Sequence, residues 1–146
     1  MTGFSEAWGR LRRGFVAVSG GMLGMAGLLK LASLLDGGGV LRRVDPVLAV
    51  PNWVAFALLG PLEVALAVYL VRSRRHLAAV FCIAWVGTLF GNYHLALSLT
   101  GLFGCPCLGT NLAWMGLSAA GAARLAAMMT AFLMVGGYVF LIVEML

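Results

Sequence analysis

Residues 15–35 read FVAVSGGMLGMAGLLKLASLL. One charge, Lys30, interrupts a run that is otherwise apolar apart from two serines. At 1.5 Å of rise per residue a helix over this run is about 30 Å long, the thickness of a bilayer's hydrocarbon core. The basic cluster Arg10, Arg12 and Arg13 precedes it, and Asp36-Gly37-Gly38-Gly39 ends it, because three glycines do not sustain a helix and suit an exposed turn. A basic segment followed by an apolar one is also the layout of a secretory signal. The apolar run is long for that role, however, and no small-residue cleavage site follows, so it reads as a retained span.

Composition generalises the reading. With 62% hydrophobic residues, 10% charged residues and a mean hydropathy of +1.02, the chain has too little polar surface to cover a soluble globule. Its 146 residues hold one domain of about four spans, with no room for a soluble catalytic domain. The second span is expected over 53–71, with Pro51 at a first helical position and Trp53 as an interfacial anchor. The third is expected over 77–99 and the fourth over 125–145, with a short interfacial helix over 111–119 that lays Trp114 at headgroup depth. The expected fold is an all-α integral membrane protein, a four-transmembrane-helix bundle with an extracytoplasmic Cys-Pro-Cys loop.

Orientation follows from the arginines, since cytoplasmic segments hold the excess of basic residues. Arg10, Arg12, Arg13, Arg72, Arg74 and Arg75 fall on one side, against Arg42, Arg43 and Arg124 on the other. Both termini are therefore expected in the cytoplasm. The net charge of +5 is this cytoplasmic collar, facing anionic headgroups rather than nucleic acid.

That topology gives meaning to residues 103–109, FGCPCLG. Cys105 and Cys107 face the compartment in which disulfides form and persist. A bond between them closes a very small ring with the φ of Pro106 fixed in the middle, and strained disulfides are oxidising and labile. So local a bridge adds little stability, because cross-linking entropy grows with loop length. An oxidised pair here is suited to exchange rather than strength, and Gly104 and Gly109 let a partner sulfur approach. Cys82, in the cytoplasmic half of the third span, reads as a small buried hydrophobe.

The segments GMLGMAGLLKL in the first span, LLGPLEVALAVYL in the second and GCPCLG after the third resemble the MauE branch of the DoxX-like membrane proteins. Members of that family carry a lysine near the end of the first helix, a Pro-x-Glu in the second and a Cys-x-Cys loop closed by an apolar residue and glycine. The resemblance covers roughly the first 110 residues. It implies a redox-associated membrane protein of the bacterial inner membrane, linked to maturation of disulfide-rich periplasmic clients.

Polar residues inside the spans point the same way. Lys30 is expected about 8 Å below the outer end of its helix, Glu63 about 15 Å, and Asn92 and His94 about 10 Å. Intramembrane charges are costly and face a bundle interior or a wet cavity, so Lys30 and Glu63 are natural partners, either as a functional site or as a bridge pinning two helices. Snorkelling is a further explanation for Lys30. His94, one or two turns below Cys105, is placed to hold a thiolate or pass a proton, the alternative being a structural donor. Asn92, Tyr93 and His94 cannot all line one pocket, because neighbours on a helix diverge by about 100°.

Two functional classes remain beside a non-catalytic structural or assembly bundle. One is a thiol-disulfide oxidoreductase whose Cys105 and Cys107 exchange with a periplasmic thioredoxin-like partner or client. Electrons would pass to or from a membrane carrier; quinone is one such carrier by analogy with four-helix disulfide generators, without a binding signature in the sequence. The other is soft-metal handling, in which the same two thiolates bind Cu(I) with methionine support. Against it, Met22, Met25, Met128, Met129 and Met134 read as helix packing, and the motif sits in a glycine-flanked loop. Gly20 and Gly24, at a small-x-x-x-small spacing continued by Gly27, suit either close packing within the chain or a homo-oligomer face.

Overall fold

A computed structural model describes residues 2–73, 76–100, 116 and 118–145. They form four long helices, α1 (Thr2–Asp36), α2 (Asn52–Arg72), α3 (His76–Leu99) and α4 (Ala119–Met145), and no strand among the described residues. Each helix is long and apolar enough to cross a membrane, which makes this a multi-pass membrane protein. Large apolar side chains such as Leu28, Leu58, Phe81, Trp85, Met128 and Ile142 are exposed on the outer faces, where lipid replaces water.

The helices exceed the expected spans at their polar ends. α1 begins at Thr2 rather than near Phe15, and Trp8, ahead of the span, packs on Phe140 with ring centroids 4.8 Å apart. α4 starts at Ala119 rather than Leu125, because its alanine-rich first turns are strong helix formers and the Ser118 Oγ accepts from the N–H of Gly121 at 3.1 Å. Of the interfacial helix expected over 111–119, only the last positions fall among the described residues. Gly116 has φ 72°, Ser118 precedes α4, and Ala119 already belongs to it; 111–115 and 117 lie outside the described residues, as do Arg74 and Arg75. Pro51 sits one position ahead of the expected first helical place, with an extended ψ of 139°.

Two antiparallel pairs make up the bundle: α1 packs along α2, and α3 along α4. The glycine stripe of α1 is used inside the molecule. A Cβ on Gly20 or Gly24 would touch Ala67 of α2, and one on Gly27 would stand 2.7 Å from the Gly60 carbonyl oxygen. In the second pair a Cβ on Gly137 would stand 2.7 Å from the Ala84 Cα, and the hydroxyls of Thr88 and Tyr138 meet at 3.1 Å. Small residues thus let backbones approach where apolar burial gives no drive between helices already in lipid.

α1 supplies the main contact between the pairs. Phe15 stacks on Phe140 and lies against Gly136 of α4, and the Arg12 guanidinium pairs with Glu144. That pair places the start of α1 and the end of α4 at one end of the bundle. The opposite end carries residues 37–51.

This segment turns where expected, with Gly37 at φ 62° beyond the last turn of α1. A 3-10 turn, Gly39–Arg42, then buries Leu41 against Ala55 and Phe56. Asp45 organises the remainder. Its Oδ1 accepts from the N–H groups of Val47 and Leu48 at 2.9 and 2.8 Å, its own N–H donates to the Val50 carbonyl, and Val44 bridges Pro51. The result is a compact cap rather than an open loop.

Gly27→Ala and Gly137→Ala should each destabilise the protein by about 1–3 kcal/mol through forced separation of a helix pair. Gly21→Ala, with nothing within 4 Å of the added methyl, should cause no loss. Thermal unfolding in detergent measures all three, and a Gly21→Ala loss equal to the others would contradict these contacts.

Candidate functional site

Buried positions on α1 recur every three or four residues: Val16, Ser19, Leu23, Ala26, Lys30 and Ser33. Lys30 thus falls on the stripe that faces the bundle, not on the lipid side. On α2 the buried stripe runs through Asn52, Phe56, Glu63, Ala67 and Leu70, so Glu63 faces inward too. Nζ of Lys30 donates to both carboxylate oxygens of Glu63 at 2.7 Å, with the residues only 5% and 2% exposed. Burial excludes snorkelling to water as the account of Lys30. The bidentate geometry satisfies both acceptors of the carboxylate and leaves the site without net charge.

This pair borders a cavity of about 290 Å³ between the two helix pairs. All four helices and the 37–51 cap line it, with Leu23, Phe56, Leu59, Phe90, Met129 and Leu133 as its apolar walls. Polar groups collect at the cap end. The Tyr93 hydroxyl donates to Oδ2 of Asp45, tying α3 to the cap, and the His94 ring packs edge-on to Tyr93 at 6.1 Å between centroids. Asn52 donates from its side chain to the Val40 carbonyl at 3.0 Å, and its backbone N–H donates to the Arg43 carbonyl at 2.9 Å. Thr130 faces the same cavity from α4.

Of the residues singled out in the sequence, Lys30, Glu63 and His94 come together around one cavity. Asn92 does not: it is exposed, turned away from His94's side as helical geometry requires. Cys105, Pro106 and Cys107, with Gly104 and Gly109, lie outside the described residues. Cys82 is free, half-buried on α3 and not part of the cavity wall. No group of three or more His, Cys, Asp or Glu residues able to hold a metal occurs among the described residues. The methionines divide: Met22 and Met129 pack between α1 and α4, whereas Met25 and Met128 are exposed on outer faces.

Sequence reasoning passed over Asp45 and Asn52. Asp-Pro at 45–46 is a turn-initiating pair, and that signal was available. Asn52 lies eleven residues before Glu63, three helical turns along the same face, which is a second available signal. No protein-family model, curated protein or solved structure matches the chain.

Removing one member of the buried pair strands the other charge in a low dielectric. Lys30→Met or Glu63→Leu alone should cost about 3–5 kcal/mol, and the double replacement should recover much of it. Thermal stability of the three variants in detergent gives the coupling, and additive losses would show that none exists.

Proposed function

We propose that this chain is a membrane thiol-disulfide redox protein of the MauE type, in which Cys105 and Cys107 exchange with a periplasmic thioredoxin-like partner or disulfide-rich client. The observation that carries the reading is positional. The ion-paired, His94-lined cavity lies at the end of the bundle where α3 stops at Leu99, and the chain continuing from there to α4 holds the two cysteines. The arginine distribution supports cytoplasmic termini in the bacterial inner membrane, with this end outside.

The chemistry is a two-step exchange. A client thiolate attacks one sulfur of an oxidised Cys105–Cys107 pair, forming a mixed disulfide and releasing the other sulfur as thiolate. The client's second thiolate then attacks its own sulfur in the mixed bond, leaving the client oxidised by two electrons and the Cys105–Cys107 pair reduced. Regeneration requires an acceptor of two electrons and two protons; a membrane quinone, reduced to its hydroquinone, is the class that balances the reaction. His94 accepts the proton that the client thiol loses on becoming the attacking thiolate, since neutral imidazole is competent near neutral pH.

Replacing one cysteine at a time tests the exchange. Exchange is reversible, so in a variant keeping one cysteine the remaining thiolate attacks an oxidised partner and has no neighbour to release it; that variant should accumulate a covalent complex with a periplasmic thiol protein, visible on a non-reducing gel and lost with reductant. His94→Ala should slow its appearance. If neither single variant traps a complex and the double Cys→Ala protein still supports client oxidation, the redox reading fails and a Cu(I) site becomes the better account of the pair.

The orientation has its own test. A membrane-impermeant maleimide added to intact cells should label reduced Cys105 or Cys107 and spare Cys82. Labelling that requires breaching the inner membrane would reverse the topology.

A further inference from the structure

The cavity beneath the cap has a mouth, and the exposure of its lining residues locates it. Every lining residue of α1 and α4 is buried, Leu23 and Met129 among them. The lining residues that reach the surface are Leu48 of the cap, 45% exposed, and Leu89 of α3, 46% exposed, while Leu59 of α2 and Phe90 of α3 are half-buried. Helix packing accounts for this distribution. α2 lies along α1 and α3 along α4, and α2 scarcely approaches either helix of the other pair. The cavity therefore opens sideways, between α2 and α3.

That side faces lipid. Leu89 falls near the middle of α3, at the depth of the hydrocarbon core, and the rim there is leucine and phenylalanine. Towards water the way is crossed by the cap, which the Tyr93 hydroxyl ties to α3 through Asp45. The interior matches this entrance. At about 290 Å³ it far exceeds the roughly 10–15 Å³ that one water needs, and its walls are chiefly apolar. Lys30 and Glu63 meet in its wall as a neutral pair, so a charged group gains no counter-ion at depth. Along α2 the wall runs from Ala55 to Glu63, about 12 Å at helical rise, which suits an extended chain.

We propose that the cavity takes an uncharged hydrocarbon chain from the bilayer, entering between α2 and α3 below the cap. The walls of an empty apolar cavity lack contact partners on one side, and a chain moving in from lipid supplies them without desolvating any polar group. A free chain dissolved in the membrane and one acyl arm of a phospholipid present the same chemistry to these walls. The site needs neither cysteine and stands apart from the exchange reaction.

The test uses the full chain in detergent micelles and dodecan-1-ol carrying a photoreactive diazirine in mid-chain, with labelled residues located by mass spectrometry. Leu23, Glu63 and Met129 line the cavity and are buried from outside, so label on them reports a chain within it. That label should saturate with probe and be displaced by excess dodecan-1-ol, whereas label on outward residues such as Leu58 and Phe81 should rise without saturation. Displacement by dipalmitoyl phosphatidylglycerol as well identifies an acyl arm as an occupant; displacement by the alcohol alone identifies a free chain. Leu59→Trp, which fills the cavity from α2, should abolish the displaceable label, and Leu58→Trp, adjacent but facing outward, should leave it unchanged. Should Leu59→Trp fail to fold, Leu89→Trp at the mouth is the second variant, with the same loss expected. A protein with Cys105 and Cys107 both changed to alanine should label as the parent does, so that loss of exchange and loss of binding are separable. Label confined to outward residues, or label on Leu23, Glu63 and Met129 that excess dodecan-1-ol does not displace or that survives Leu59→Trp, overturns the proposal.

Discussion

The bond between Lys30 and Glu63 fixes the register on which the rest of the bundle depends. Helices already surrounded by lipid gain little from burying more apolar surface, so α1 and α2 could slide along each other at small cost. A charge left alone at this depth is far more expensive, and a single alignment brings the ammonium within reach of both carboxylate oxygens. That alignment also sets Gly27 against Gly60, three residues from Lys30 and Glu63 respectively. Ion pair and glycine contact enforce the same register by different means, one through the cost of an unmatched charge and the other through steric fit.

The fold was legible because its dominant signal is local. A run of some twenty apolar residues has few other uses, and all four such runs are helices. The ends were less legible. Sequence hydropathy marks where a helix leaves hydrocarbon, not where it stops, so the extension of α1 back to Thr2 and of α4 back to Ala119 lay outside what hydropathy reports. The cap at 37–51 was readable only in part. Its glycines announce a turn, but the role of Asp45 depends on Tyr93, forty-eight residues further along the chain.

The same distinction governs the site. Lys30, Glu63 and His94 stand out in sequence because ionisable groups are conspicuous in apolar surroundings, and their convergence on one cavity follows from facing inward on their helices. Asn92 was equally conspicuous, yet it faces outward; polarity identifies a residue, and only helical phase decides where it points. Asn52 and Asp45 are ordinary polar residues at the mouth of a loop, and their significance comes from being buried there. The Cys-Pro-Cys motif remains a statement of sequence.

The division into two tight pairs has a mechanical consequence. Within each pair, backbones touch through glycine, and any change of spacing costs steric fit immediately. Between the pairs lies the cavity, bridged mainly by side chains of α1. The stiffness of the bundle is therefore anisotropic: rigid along the two glycine contacts and compliant across the space that separates them. A load on that space falls on the contacts between the pairs, Phe15 on Gly136 and Phe140 among them, before it reaches the glycine contacts within either pair or the Lys30–Glu63 bond.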